Sequence, residues 1–538
     1  MKLDEIGLKN KALWLKKDYH LPEFNRQEIA KKTKGNPFWI HFGSGNILRA
    51  FQANVVQNLL NTGVLDHGLI VAEGYDYEII EKINQPHDDY SILVTLKSDG
   101  SIEKTVVGSV MESLVLDSDH KDFHRLKEIF KATSLQMATF TITEKGYSLT
   151  DGKGVLLPSI KADMENGPKN PESYLGKIAS LLYTRYLNEK MPIAMVSMDN
   201  CSHNGDKLYA AIAAFAKAWV ENDMVEKDFF SYIENPEKVS FPWTMIDKIT
   251  PRPDTSVEAI LKQDGVEELD SVITKKNTYT APFVNAEECE YLVIEDAFPN
   301  GRPLLEKGGF IFTDRVTVDK VEKMKVCTCL NPLHTALAVF GCLLGYDLIS
   351  KEMEDPDLKR LVETIGYKEG LPVVTDPGIL DPKEFIDTVL TKRIPNPFMP
   401  DTPQRIATDT SQKLAIRFGE TMKAYDKSPD LEVAHLKGIP LVLAGWLRYL
   451  MAVDDNGREF KLSPDPLLDT IVPYIAPIKL GSNTNVDNLI KPILEDEKIF
   501  GVNLYNIGLA PLVCQYFTEM IQGPGAIRTT LSHWGRSI

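Results

Sequence analysis

Lys325, Asn331 and His334 fall within ten residues of one another, in Lys-Val-Cys-Thr-Cys-Leu-Asn-Pro-Leu-His. The stretch holds a potential base, a neutral amide donor and a second polar group. The run from Thr335 to Phe340 follows at once and is largely apolar. Polar groups set against apolar sequence are costly to bury unless they have a task. Cys327 and Cys329 lie inside the same stretch and alternate with Val326, Thr328 and Leu330, which predicts a short strand. No second cysteine pair with zinc spacing follows, so these thiols read as core groups and no metal site is expected.

A second candidate lies far upstream. Gly43-Ser44-Gly45-Asn46-Ile47-Leu48-Arg49 follows the apolar run Phe38–Phe42 and opens a helical pattern that extends from Ile47 to Leu60. Two glycines permit a tight turn and close approach of backbone to a pyrophosphate. The helix start adds free N–H groups and the positive end of a dipole. Leu48 stands where the third glycine of G-x-G-x-x-G is usually found. The next strand, near 69–72, leads into Glu73-Gly74-Tyr75-Asp76. Either Glu73 or Asp76 suits the two hydroxyls of a ribose and would repel a 2′-phosphate, which points to NAD rather than NADP.

The elements that must position these groups change character along the chain. Strand candidates at 38–42, 69–72, 90–96, 105–110, 136–143 and 193–198 alternate with helical segments, notably 174–187 and 206–221. Alternation of this kind is the α/β signature. Helical periodicity then dominates, at 335–353, 357–366, 383–391, 410–425, 432–452 and 508–521. The expected organisation is an N-terminal extension (1–35), a Rossmann-type α/β dinucleotide-binding domain (36–320) and a mostly α-helical C-terminal domain (321–538).

Composition narrows the class. The 538 residues are 43% hydrophobic and 25% charged, with a net charge of −16. An acidic surface argues against nucleic acid as the partner. No apolar run reaches about 18 residues, so no membrane span is expected. The first residues mix both charge signs without an apolar signal core, which predicts a cytoplasmic protein. Six cysteines in so long a chain do not make a disulfide scaffold.

Three further stretches are dense in polar residues beside apolar runs: Thr141–Tyr147, Ser197–Gly205 and Phe241–Pro251. Taken singly they read as loops, and Asp199, Asn200 and Asn204 as helix caps. Taken together they would lie at the C-terminal ends of strands, where doubly wound folds bind ligands.

The ordered series of motifs resembles the mannitol dehydrogenase family of polyol-specific long-chain dehydrogenases. Gly-Ser-Gly-Asn-Ile-Leu-Arg-Ala-Phe-Gln (43–52) is similar to that family's opening. So are Thr-Ile-Thr-Glu-Lys-Gly-Tyr (141–147), Met-Asp-Asn-Cys-Ser-His-Asn-Gly (198–205), Ile-Asp-Lys-Ile-Thr-Pro (246–251), Ile294–Pro303 and Lys325–His334 to its later motifs. The resemblance implies a metal-independent oxidoreductase using NAD, less readily NADP, on a small polyol or sugar acid. It implies Lys325 as general base or acid, Asn200 and Asn331 as donors to the oxygen that gains charge, and His334 as the holder of a neighbouring hydroxyl. Glu322 would relay the proton to solvent. Arg405, Lys413 and Asp247 would contact substrate. Gly43, Gly45, Asn46, Ile47, Leu48, Glu73, Asp76, Thr143 and Glu144 would contact the cofactor.

The chain departs from the family pattern in places. Five residues, Val326 to Leu330, separate Lys325 from Asn331 where the family has four. A bulge or the start of the helix would absorb the extra residue, and Lys323 is the fallback base. Pro332 replaces a small residue and Lys248 an arginine. A uronate adds a carboxylate, which favours arginine recognition. D-mannonate/D-fructuronate is the expected pair, with mannitol 2-dehydrogenase and tagaturonate reductase as alternatives. A non-catalytic sugar-acid or dinucleotide sensor on the same fold is the alternative from another class, but Lys325, Asn200 and Asn331 are all present. The protein is expected to act as a monomer or small homo-oligomer.

Overall fold

The computed structural model describes residues 1–482 and 485–537 and divides into two compact units. The first comprises Met1–Lys97 and Ser101–Asp319, the second Lys320–Ile538 with Ser98–Gly100.

The first unit is built on a six-stranded parallel sheet. Its strands in chain order are β1 (Trp39–Phe42), β2 (Leu69–Glu73), β3 (Val110–Val115), β4 (Met137–Phe140), β5 (Ile193–Ser197) and β6 (Val239–Ser240). In space they run β3-β2-β1-β4-β5-β6. This is the Rossmann order, with its switch point between β1 and β4. The strands are buried at almost every position because both faces are covered. Ile40, Phe42, Ile70, Ala138, Phe140 and Met195 pack on one side with the helices Asp122–Lys131, Tyr174–Leu187 and Asn204–Glu221. Trp39, Leu69, Val71, Met137, Ala194 and Val196 point the other way, toward the helix Ala53–Asn61. Period-two alternation thus serves two cores at once.

The strand expected over 105–110 is two strands in different sheets. Ile102–Val107 joins Ser91–Leu96, Phe283–Glu287 and Tyr19–His20, and β3 begins at Val110. The chain turns at Gly108, where a Cβ would sit 2.5 Å from the Tyr90 ring. The Gly108 N–H donates to Gln57 Oε1 at 2.6 Å, and Ser109 Oγ to the Ala53 carbonyl at 2.6 Å. A backbone satisfied by side chains there cannot continue a ladder. Residues 1–35 are integral to the first unit, with Trp14 fully buried.

The second unit is helical, and among the described residues no strand follows Ile311–Thr313. Its organising element is the helix Asn331–Leu344, most of whose residues are buried. Leu333, Leu337 and Phe340 pack with Leu441, Trp446 and Phe517 in one core. Gly345, at φ +78°, ends this helix, so the pattern read as 335–353 is two helices, Asn331–Leu344 and Ile349–Glu352.

The strand predicted from Cys327 and Cys329 is instead a wide π-type helical turn, Lys325–Cys329. The Leu330 N–H reaches the Lys325 carbonyl at 3.1 Å, five residues back. Such a turn is one residue inserted into an α-helix. It absorbs the extra residue between Lys325 and Asn331 without breaking the helix. Pro332 follows in the first turn of the resumed helix, where a missing N–H costs little. Five residues of alternation are too few to separate strand from buried helix.

Candidate active site

At the switch point the sequence between β1 and its helix does what two glycines allow. Gly43 has φ +111°, and a Cβ there would lie 2.4 Å from the Thr141 carbonyl oxygen. A Cβ on Gly45 would meet nothing within 4 Å. That leaves open space beside a first helical turn whose N–H groups have no helical acceptor. Leu48 is fully buried in the core beneath, so a third glycine is not needed for packing there, and only its backbone could meet a ligand.

The two acidic residues after β2 have different surroundings. Glu73 is buried, and its carboxylate accepts from the Ser44 N–H at 2.8 Å and from the N–H groups of Tyr75 and Asp76 at 2.7 and 3.1 Å. Burial pushes its carboxyl above the usual range, against the pull of those three donors. Asp76 accepts instead from Thr274 Oγ1 at 2.6 Å. Glu73 is therefore the acid tied to the glycine turn. The Tyr174 hydroxyl is buried without a hydrogen-bond partner, and both Glu73 and Asp199 act on it electrostatically. Open space at Gly45, unpaired helical N–H groups, a carboxylate on the adjacent strand end and an orphaned hydroxyl together fit a dinucleotide.

Asp199 fastens the loops after β4 and β5. Its carboxylate accepts from the Ile142 and Thr143 N–H groups at 2.9 Å each and from the Tyr147 hydroxyl at 2.5 Å. Burial raises its carboxyl despite these donors. Thr143 is held at φ +66°, a region a β-branched residue rarely adopts, and Glu144 pairs with Lys207 at 2.6 Å. Asn204, fully buried, continues the lacing. Its Nδ2 donates to Thr244 Oγ1 at 2.8 Å and its Oδ1 accepts the Thr244 N–H at 3.0 Å. This binds the start of the helix after β5 to the strand Thr244–Asp247, whose last residue, Asp247, is buried. Asn200, next to Asp199, is exposed, and among the described residues its amide has no hydrogen-bond partner.

In the second unit the wide turn separates two lysines. Lys325 is 4% exposed, whereas Lys323 is exposed and Glu322 half-buried. The two lysines thus differ in burial, the property by which a protein can favour one of them as a base. Asn331 uses its carbonyl to accept the Thr335 hydroxyl at 2.9 Å. Its side-chain amide has no partner among the described residues.

His334 sits in an unusual field. Its Nε2 lies 3.5 Å from Asp401 Oδ2, and Asp401 also pairs with Arg405. Burial, followed by the positive charges of Arg417, Arg393, Arg405 and Lys413, pushes the imidazole down to about 3. It is neutral at ordinary pH, a hydrogen-bonding group and not a charge. Lys413 donates to the Thr408 carbonyl at 2.5 Å, and burial and Arg417 lower its pKa. Asp401, Arg393 and Arg417 were not among the residues singled out from sequence. One signal was available for Arg417: like charges four apart on a helix, Lys413 and Arg417, repel unless something anionic joins them.

Among the described residues, no group of three or more His, Cys, Asp or Glu is placed to hold a metal ion.

Comparison with known proteins gives consistent matches. Residues 38–307 match the family model of the mannitol dehydrogenase Rossmann domain, and residues 317–517 that of the mannitol dehydrogenase C-terminal domain. The D-mannonate oxidoreductase of Thermotoga maritima (strain ATCC 43589 / DSM 3109 / JCM 10099 / NBRC 100826 / MSB8) is 52% identical over 533 residues, 99% of this chain and 98% of that protein. The D-mannonate oxidoreductase of Escherichia coli (strain K12) is 29% identical over 440 residues, 80% of this chain and 83% of that one. Among solved structures, the ternary complex of Pseudomonas fluorescens mannitol 2-dehydrogenase with NAD and D-mannitol aligns over 100% of both chains, with a TM-score of 0.68 and 26% identity.

Proposed function

This chain belongs to the mannitol dehydrogenase family, and we propose that it is a D-mannonate:NAD oxidoreductase, interconverting D-mannonate and D-fructuronate. The observation that carries this reading is 52% identity, over nearly the whole of both chains, to a D-mannonate oxidoreductase.

The nicotinamide dinucleotide, when bound, takes up or supplies the hydride. The turn at Gly43 and Gly45 and the first helical turn, Asn46 to Leu48, receive its pyrophosphate, with Thr143 and Glu144 on the neighbouring loop. Glu73 takes the ribose hydroxyls and disfavours a 2′-phosphate, which is the basis for assigning NAD.

The chain's own groups handle the proton and the oxygen. In oxidation the neutral Lys325 amine takes the hydroxyl proton as the carbon gives up hydride and the carbonyl forms. In reduction the Lys325 ammonium returns that proton to the oxygen. The amides of Asn331 and Asn200 donate to the oxygen while it carries negative charge, and one such donor is worth about 3 kcal/mol. Glu322, one turn before Lys325, passes the proton to solvent. Neutral His334, with Arg405, Lys413 and Asp247, orients the remaining hydroxyls.

The test is NADH oxidation with D-fructuronate, D-tagaturonate and D-fructose in parallel. D-fructuronate is expected to give the highest kcat/KM. A higher kcat/KM with D-tagaturonate or D-fructose refutes the substrate, and no turnover of any of the three refutes the enzyme.

A further inference from the structure

We propose that Arg417 binds the carboxylate of a sugar-acid substrate and so makes the second unit select an anionic chain over a neutral polyol. The inference rests on the sugar-acid reading above and assigns to particular residues the selectivity that reading requires.

Arg417 lies in the wide helical turn Ala415–Gly419, four residues after Lys413. That turn packs against the wide turn Lys325–Cys329, which carries the lysine. The Arg417 guanidinium donates through Nη1 to Thr335 Oγ1 at 2.5 Å, and Thr335 directly follows His334 in the chain. Its pKa is lowered to about 10 by burial alone. Among the described residues no carboxylate pairs with it; its one bonded partner is the Thr335 hydroxyl. A guanidinium has five N–H donors, and a single neutral acceptor leaves most of its hydrogen-bonding capacity and all of its charge unmatched. Arg417 is half-buried, and even partial withdrawal of such a charge from water without a counter-ion is costly.

The other cations nearby are better matched. The charges of Arg405, Lys413 and Arg417 reach the imidazole of His334. The carboxylate facing that imidazole is Asp401, which already pairs with Arg405. Lys413 feels the charges of Asp409 and Asp465, whereas among the described residues the Arg417 charge meets no carboxylate. Hydroxyl groups of a polyol can accept hydrogen bonds but cannot neutralise it. A carboxylate can, and its two oxygens match the fork of a guanidinium. In D-fructuronate the carboxylate stands at the opposite end of the carbon chain from the reacting carbonyl, so its binding group must be distinct from Lys325. A positive charge on the turn beside the lysine-bearing one meets that need.

Two measurements on the full chain test this. In the first, Arg417→Gln is expected to raise KM for D-fructuronate about 30-fold or more, with kcat within about threefold of wild type. Arg417→Lys, which keeps the charge and loses the fork, is expected to recover part of that loss. In the second, D-mannonate and D-mannitol binding is followed by calorimetry. Preference of the wild type for D-mannonate should be abolished in Arg417→Gln. An unchanged KM, a fall in kcat alone, or equal preference for D-mannonate in wild type and variant overturns the assignment. If the wild type turns over no sugar acid, the oxidoreductase reading fails, and the calorimetry still decides. Arg417-dependent binding of D-mannonate upholds the carboxylate site, and absence of that binding in the wild type overturns it.

Discussion

Replacing Asp199 with asparagine should loosen the loop after β4, and the size of the effect follows from three contacts. The carboxylate accepts from Ile142 N–H, Thr143 N–H and the Tyr147 hydroxyl. Asparagine keeps the volume but offers a single acceptor atom, so its Nδ2 must face one of the two backbone N–H groups, donor against donor. Tyr147 can fall back on Ser197 Oγ at 2.8 Å, and Thr143 is exposed enough for water to replace the carboxylate. The uncompensated loss is mainly one charge-assisted bond to a part-buried N–H, left with a donor facing it. This amounts to about 2–3 kcal/mol. Hydrogen exchange at the Ile142 and Thr143 amides reads this opening locally, without assuming that two units unfold as one. Exchange about 30–150-fold faster than wild type is expected. Because a Cβ at Gly43 would touch the Thr141 carbonyl, the loosened loop should also raise KM for NADH. The pH dependence has a fixed sign. Burial raises the folded-state value of Asp199 above its unfolded one, so the folded state holds the proton more tightly. The contribution of Asp199 to stability then falls as pH rises between the unfolded and folded values, and the asparagine variant lacks that slope. Exchange at both amides within about threefold of wild type would refute the account of Asp199 as the fastener.

Three other outcomes are expected. Lys325→Ala should reduce kcat by about 10²–10⁴-fold while Lys323→Ala retains wild-type kcat; the reverse result in steady-state assays would move the base to Lys323. Glu73→Ser should shift the kcat/KM preference toward NADPH by about tenfold or more, since a carboxylate beside a 2′-phosphate is repelled; an unchanged preference removes Glu73 from the ribose. Glu352 is fully buried with both carboxyl oxygens unpartnered, and burial followed by Asp355 pushes its pKa well up. Its folded-state value therefore exceeds the unfolded one, and stability is lost as pH rises between them. Glu352→Gln, measured by urea unfolding, should match wild type near pH 4 and exceed it by about 1 kcal/mol or more at pH 8; a variant less stable at pH 8 would show that Glu352 has a charge partner.

The glycine turn was legible from sequence because its requirements are local. Gly43 needs a positive φ and closeness to Thr141, and the apolar run before it announces a buried strand. The same holds for the α/β-to-helical succession, which periodicity reports directly. Boundaries failed where a side chain from elsewhere intervened. Gln57 and the Tyr90 ring at Gly108 divide one apparent strand into two, and neither is near it in sequence.

What the sequence alone determined is which groups are available for chemistry and in what order: a strand–glycine–helix opening, amides at Asn200 and Asn331, a lysine at 325, basic residues at 405 and 413. These follow from residue type and short-range spacing. Only the tertiary structure decided which of them are desolvated and what faces them. It buries Lys325 and exposes Lys323, makes Glu73 and not Asp76 the acid at the glycine turn, turns a suspected strand into a wide helical turn that accommodates the extra residue, and leaves the Arg417 guanidinium half-buried with no carboxylate partner among the described residues. The physical reason is that burial and electrostatic pairing depend on groups distant in the chain, and no spacing rule reports them.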